Sequence, residues 1–260
     1  MADADIKPSG SSLSKALTVL KEVCCAKEPM RFAHIVERSE LPKATAHRIL
    51  NTLVDEGLVR FEENSQLYHP GYGLLELAHK AWSSLDIRDL AADQMKSLWQ
   101  ETGETIHLAV LDRGEVVYID KLESQKSLRL FSSVGKKGPA YCTGVGKALL
   151  AHLAPEELQA AISLQTFVKH TQTTLDCEEK LKADLVKIRK TGVSLDLEEH
   201  EEGIKCAASA IFNYRNEPIA ALSITAPVFR VDDVRFELFQ QKIKAAGVEI
   251  SKRMGAMASA

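Results

Sequence analysis

Once the polar opening segment is passed, apolar residues recur at helical spacing. Leu13, Ala16, Leu17, Leu20 and Cys24 fall three or four apart and predict a first helix over 13–25, with Ser12 as its N-cap. A short second helix is expected over 31–38, with Phe32, Ile35 and Val36 inward. Ser39-Glu40-Leu41-Pro42 reads as a tight turn, and Pro42 suits the first turn of a helix, where its missing N–H costs nothing. That third helix, over 43–56, stops at Gly57. Ala46, Ile49, Leu50, Leu53 and Val54 form its apolar face; Lys43, Thr45, His47, Arg48, Asn51 and Thr52 form the other. Two β-prone runs, 58–61 and 67–69, flank the polar 62–66 and predict a hairpin.

Helical spacing resumes over 71–84 through Tyr72, Leu75, Ala78 and Trp82, and a further helix follows Asp86 as N-cap. From Glu104 the period changes. Strands are expected over 105–112 and 116–121 around a turn at Arg113-Gly114-Glu115, and a third over 128–131; 135–139 reads as a loop. Helices are expected over 146–153 and 155–162. Asp176-Cys177-Glu178-Glu179 resembles a capping box that opens a helix running to Lys190 and ending at Gly192. Strands over 193–196, 204–212 and 219–226 and a closing helix over 234–254 complete the chain. Mostly hairpin-connected strands with helices imply an α+β fold with a central antiparallel sheet.

Length then divides the chain: 260 residues suit two domains. The division expected is a disordered tail 1–11, a DNA-binding domain 12–70, a linker helix 71–85 and a sensor domain 86–257. Hydrophobic content of 45% and charged content of 27% are globular values. No apolar run is long enough to span a bilayer, and the first twelve residues lack the apolar core of a signal peptide. Five cysteines, an odd number without C-x-x-C, argue against a disulfide framework. A cytoplasmic protein is the expectation.

Three helices followed by a hairpin is the order of a winged helix-turn-helix, whose second motif helix enters the major groove. Residues 41–54 meet the physical demands: an apolar face to anchor the helix, a polar face toward its N-terminal end, and no acidic residue to repel phosphate. Lys43, Thr45, His47, Arg48 and Asn51 are the candidate DNA contacts, with Arg60 from the wing. The bland alternative is an amphipathic helix with a solvated face. Charge does not favour DNA: the chain carries a net −3, residues 1–70 hold nine Lys or Arg against ten Asp or Glu, and Glu62 and Glu63 make the wing acidic.

Four co-linear segments tip the balance. Leu41-Pro42-Lys43-Ala44-Thr45-Ala46-His47-Arg48-Ile49-Leu50-Asn51-Thr52-Leu53 resembles the recognition helix of the IclR (isocitrate lyase regulator) family. The loop-helix run 138–151 (GPAYCTGVGKALLA), the acidic run 196–208 (DLEEHEEGIKCAA) and the late strand 220–225 (AALSIT) resemble three further signatures of that family, in order and spacing. Within it, 104–108 (ETIHL) and 117–121 (VYIDK) resemble the 2-keto-3-deoxygluconate-type regulators. The resemblance implies a winged helix-turn-helix, a linker helix and a GAF-like effector domain. It implies a dimer or tetramer on a palindromic operator that answers to a small carboxylate metabolite. Three departures stand out: Ser209-Ala210-Ile211 in place of a small-Pro-Val/Ile run, Pro70 just after the wing, and the acidic wing itself.

Strand alternation puts Ile204, Cys206 and Ala208 on one face, and Ser223 with Thr225 on one face of the next strand. Two hydroxyls at i and i+2 can converge on one polar ligand; a cross-strand Ser/Thr pair is the plainer alternative. Gly144 to Gly146 precede a helix, so free amides there could hold a carboxylate; loop geometry and close packing are the alternative. The resemblance places the effector pocket at Gly144, Asp196, Ile204, Cys206, Ser223 and Thr225, with an aliphatic wall from Leu128 or Leu130. In that reading Ser223, Thr225 and the amides near Gly144 bind the acid group, Asp196 accepts from ligand hydroxyls, and Cys206 and Ile204 shape the wall. A repressor of a catabolic operon, relieved by a hydroxy or keto acid such as a sugar-derived one, is expected; an activator of aromatic-acid catabolism is the alternative.

Other classes fit less well. Gly144-Val145-Gly146-Lys147-Ala148 fails the P-loop template, with Tyr141 at the first glycine and Ala148 in place of Ser or Thr. No catalytic residue, cofactor or metal site is expected. His200 among Glu198, Glu199, Glu201 and Glu202, near Cys206, admits a metal or redox sensor, but a solvated acidic loop beside a small apolar cysteine explains it.

Overall fold

Ser11 accepts the Ser14 N–H at 3.1 Å, one residue earlier than the N-cap expected, and opens α1 (Ser12–Cys25). The computed structural model describes residues 11–77, 86–124, 126 and 132–256. It divides into two compact units, Met1–Leu85 and Asp86–Ala260.

In the first unit α1 is followed by α2 (Phe32–Ser39) and α3 (Lys43–Asp55), then the hairpin β1 (Val59–Glu62) and β2 (Leu67–Pro70). The buried stripe of α1 is Val19 and Val23, packed with Ala16 and Leu20. Leu13, Leu17 and Cys24, which share the helical spacing, stay exposed because the α2–α3 pair meets the neighbouring stripe. Ile35 of α2 and Ala46, Ile49, Leu50 and Leu53 of α3 complete the core with Val59 and Tyr68 of the hairpin. Glu40 takes a left-handed conformation (φ 54°) that turns the chain sharply between α2 and α3. Pro70 lies within the wing, paired with Val59 as the last residue of β2. An edge strand tolerates it there, since proline lacks only the donor. Residues 73–77 are helical; the rest of the expected linker helix, 78–85, lies outside the described residues.

The second unit is a six-stranded antiparallel sheet between helices. Its strands are β3 (Thr105–Asp112), β4 (Glu115–Leu122), β5 (Lys137–Pro139), β6 (Ser194–Leu197), β7 (Ile204–Phe212) and β8 (Pro218–Pro227), in the spatial order β5-β4-β3-β8-β7-β6. One face packs α4 (Ile87–Thr102) and α8 (Asp233–Arg253) over Ile106, Leu108, Ala207, Leu222 and Ile224. The other packs α5 (Gly144–Leu150), α6 (Pro155–Ser163) and α7 (Glu178–Thr191) over Ala109, Ala208, Ala210 and Ala221. Period-2 alternation explains the split, because successive residues of β3, β7 and β8 belong to opposite cores. The small alanines on the second face let α5 approach the sheet closely.

Two expectations change, and a third falls outside the described residues. The segment 135–139 is not all loop: Lys137–Pro139 pairs with β4 and extends the sheet edge. Asp176 is not part of a capping box; Cys177 is the N-cap without a side-chain bond, and Asp176 instead accepts from Lys180 at 2.6 Å. The strand expected over 128–131 lies outside the described residues, and with it Leu128 and Leu130.

Tight apposition makes Gly146 irreplaceable: a Cβ there would stand 2.4 Å from Ala140 Cα and Ala140 O. Gly146→Ala should therefore lower the unfolding free energy by about 1–3 kcal/mol, the usual cost of overpacking, seen as a reduced urea midpoint at unchanged slope.

Candidate effector and DNA-binding sites

Sheet register brings the candidate effector residues together. Asp196 of β6 pairs with Cys206 of β7, which pairs with Thr225 of β8. One pair along, Ala208 meets Ser223, and Ser223 meets His107 of β3. These two rows lie on the face covered by α5, and Gly144 sits directly above them. A Cβ on Gly144 would come within 3.3 Å of the Cβ atoms of Cys206 and Ala208. The cavity beneath is lined by Gly144, Asp196, Ile204, Cys206, Ser223 and Thr225, all six described residues assigned to the pocket from the sequence. Its volume is about 80 Å³, below the ~300–1,000 Å³ of sites for drug-sized ligands, so it suits a small ligand.

The hydroxyl pair has a centre that sequence reasoning did not assign. His107 Nδ1 lies 3.3 Å from Ser223 Oγ and 3.2 Å from Thr225 Oγ1, while its Nε2 lies 2.7 Å from Ser132 Oγ. Burial, with Lys121 nearby, pushes the imidazole down to about 3, so it is neutral. Neutral imidazole offers one donor and one acceptor. Nδ1 therefore stands between the two hydroxyls, which are themselves 3.4 Å apart. Thr225 Oγ1 is also 3.1 Å from Cys206 Sγ, and burial pushes that thiol well up, toward an inert protonated wall group. Tyr118 stacks near His107 at 5.0 Å and closes the β4 side. The missed signal was a histidine in phase with Thr105 on a strand otherwise apolar.

The amides expected to hold a carboxylate are partly used. Thr143 caps α5, accepting the Gly146 N–H at 3.3 Å, and its carbonyl accepts the Lys147 N–H at 2.9 Å. The first two residues of α5, Gly144 and Val145, line the cavity. Lys147 turns away from any phosphate-like role. Fully buried, it donates to Glu199 at 2.6 Å, to Asp184 at 2.9 Å and to the Leu195 carbonyl at 2.7 Å. Glu199 in turn donates its backbone N–H to Asp196 Oδ1 at 2.8 Å. The acidic loop is thus an inner structural element rather than a solvated one at Glu199. Thr171, Thr173 and Thr174 hold its carbonyls from outside, at Glu198 O (2.6 and 2.7 Å) and Glu199 O (2.7 Å). Among the described residues, no three His, Cys, Asp or Glu side chains stand close enough to share a metal.

In the first unit the candidate DNA face is coherent. Lys43, His47, Arg48 and Asn51 are exposed along α3, and Thr45 is half-buried. Pro42 caps α3 without a side-chain bond, leaving the helix's first amides open to phosphate. Asn51 Nδ2 lies 3.4 Å from His47 Nδ1, and His47 meets the Phe32 ring edge-on at 5.7 Å. Arg60 is exposed on the wing with its guanidinium 5.8 Å from the Tyr72 ring centre. Glu62 folds back on its own hairpin, accepting from Ser65 at 2.5 Å.

The comparisons agree with this geometry. Residues 12–63 match the family described as IclR helix-turn-helix domain, and residues 79–252 match Bacterial transcriptional regulator IclR C-terminal. The chain is 33% identical to the HTH-type transcriptional regulator XynR of Escherichia coli, over 95% of this chain and 98% of the relative. It is 32% identical to the E. coli regulator KdgR, over 98% of each. Among solved structures, the Agobacterium tumefaciens repressor BlcR superposes with a TM-score of 0.84 at 25% identity, covering 97% of this chain and all of that one. The chain belongs to the IclR family of DNA-binding transcriptional regulators, which pair a helix-turn-helix with a ligand-binding domain, and is not an enzyme. Nothing in these relatives favours the metal or redox reading through His200 and Cys206. No helix of the described residues is long and apolar enough to cross a membrane.

Lys147→Met should cost about 3–5 kcal/mol, because it leaves Glu199 buried without its cation. Chemical denaturation measures this directly; a loss below 1 kcal/mol would mean that the clamp carries little.

Proposed function

We propose that this regulator is a homo-oligomeric repressor of a catabolic operon, released from DNA by a small hydroxy or keto acid bound under α5. The observation that carries the reading is the convergence of Ser223, Thr225, Asp196 and the start of α5 on one small cavity. The aliphatic residues Leu128 and Leu130 complete its wall in this reading. Ser223 and Thr225, steadied by His107, take the acid group. The likeness to KdgR agrees with the 2-keto-3-deoxygluconate-type branch that the sequence resembles, and the repressor BlcR with the sign.

On the DNA side, Lys43 and Thr45 sit where the open amides of α3 favour a phosphate, Arg48 and Asn51 read base edges, and His47 braces Asn51. Arg60 adds a phosphate contact from the wing. Two copies bind the halves of a palindromic operator about one helical turn apart. Self-association has apolar surface to use: Leu13 and Leu17 on α1, and Tyr72, Leu75 and Leu77 after the wing, are exposed. An acid can shift the heads only if one quaternary state binds it better.

Thermal-shift screening against keto, aldonic, uronic and aromatic acids tests the effector reading. A specific acid at a hundred times its Kd should stabilise by about 2.7 kcal/mol; a response confined to aromatic acids would overturn the sugar-acid branch. Arg48→Ala should weaken binding to the protein's own promoter region by about 1–3 kcal/mol in a mobility-shift titration. Unchanged affinity would take Arg48 off the DNA face.

A further inference from the structure

The polar wall opposite His107 raises a question of charge. Asp196 is only 4% exposed, yet the residue lines the cavity. The buried cation on that side is Lys147, and an ammonium has three N–H donors. All three are taken, by Glu199, Asp184 and the Leu195 carbonyl. Two carboxylates already face that one ammonium, and the only other cation on them is the exposed Lys187, 4.0 Å from Asp184 among the described residues, so an ionised Asp196 would add a third negative charge against one buried positive one. Glu199, the carboxylate nearest in the network, also keeps one oxygen, Oε2, buried without a partner.

Among the described residues, no buried cation other than Lys147 faces Asp196. From β3, His107 is neutral; from β4 and β7 come the protonated Tyr118 and Cys206, both pushed up by burial. His200, beside Asp196 in the loop, is pushed down by its own burial and by His170. Cys142, ahead of α5, is raised by burial and by Asp196 itself. Lys136 and Lys137 lie at the exposed mouth, and Lys137 is paired with Asp112 and Glu115; Glu201 adds a further negative charge there. Against these stand the N–H groups of Glu199 and His200, which favour the ionised form but are outweighed: burial and the Glu199 carboxylate hold Asp196 up to about 7.

We propose that Asp196 carries a proton in the free regulator at neutral pH and presents its O–H to the effector, acting as a specificity-determining donor rather than as an acceptor. The pocket then selects acids that offer an acceptor oxygen, a carboxylate or keto oxygen, on the β6 side, and an anion enters without meeting a like charge. Above the range where Asp196 ionises, binding takes up one proton from solution, so effector affinity falls by up to tenfold per pH unit. The inference rests on the reading of this cavity as the effector site, but the state of the proton does not.

The stability sign follows from the raised carboxyl. The folded state holds this proton more tightly than the unfolded chain does. Its stabilising share is therefore complete below the ordinary carboxylate range and is lost as pH rises through about 7. Asp196→Asn, which keeps a donor and removes the charge, should raise Tm at pH 8 and raise it much less at pH 5; an equal change at both pH values overturns the proposal. In the parent at pH 6, the infrared C=O band of a protonated carboxyl should be present and should vanish in Asp196→Asn. A parent spectrum without that band overturns it too. Calorimetric titration with 2-keto-3-deoxygluconate supplies the binding arm. Parent affinity should drop at least fivefold from pH 6.5 to pH 8.5, Asp196→Asn should be flat across that range, and Asp196→Ala should be weaker than Asp196→Asn throughout. Parent affinity independent of pH, or Asp196→Asn as weak as Asp196→Ala, sinks the donor role. No binding of this acid by the parent would instead count against the sugar-acid reading, while the spectrum and the Tm pattern still decide the proton.

Discussion

One buried ammonium organises the effector side of this regulator. Lys147 is fully buried and spends its three donors on three separate pieces of chain: Asp184 on α7, the Leu195 carbonyl on β6, and Glu199 in the loop after β6. A buried charge is tolerated only when paired and hydrogen-bonded, so α5, α7 and the acidic loop must meet at one point. Through Glu199 the constraint reaches Asp196, and through α5 it fixes the lid of the cavity. The threonines at 171, 173 and 174 hold the same loop from its outer side. Such a loop is a rigid wall, suited to setting which ligand fits.

The sheet divides labour between its faces. On one, bulky side chains of β3, β7 and β8 pack against α4 and α8 as an ordinary core. On the other, alanines clear space for α5, and the polar residues in phase with them collect under its first turn. His107 is kept neutral by burial, and Cys206 keeps its proton for the same reason. In so buried a wall each remaining donor counts heavily toward a polar ligand.

The DNA-binding unit works under a different electrostatic constraint. With acids as numerous as bases over its length, it cannot rely on a general positive field. Its positive charge is instead local, at Lys43 and Arg48 near the uncapped start of α3, where open amides add to it. Glu62 is engaged by Ser65 within its own hairpin, so its carboxylate is held against the wing's turn. The wing's basic group, Arg60, is steered by the Tyr72 ring.

Much of this was legible in the chain itself. Periodicity located most of the described helices and strands to within a residue or two, and the co-linear motifs identified the family, because burial patterns and glycine positions are local properties. Six pocket residues were reached by resemblance and meet at one cavity. Other features required the fold. The exposed stripe of α1 depended on which side α2 and α3 would cover. That Lys147 is a structural cation, and His107 the hinge of the hydroxyl pair, could not be read from spacing. Lys147 meets Asp184 and Glu199 across thirty-seven and fifty-two residues of chain, and His107 meets Ser223 across one hundred and sixteen. Local sequence determines what an element is. Long-range register and shared burial decide which side chains meet and what charge they can keep.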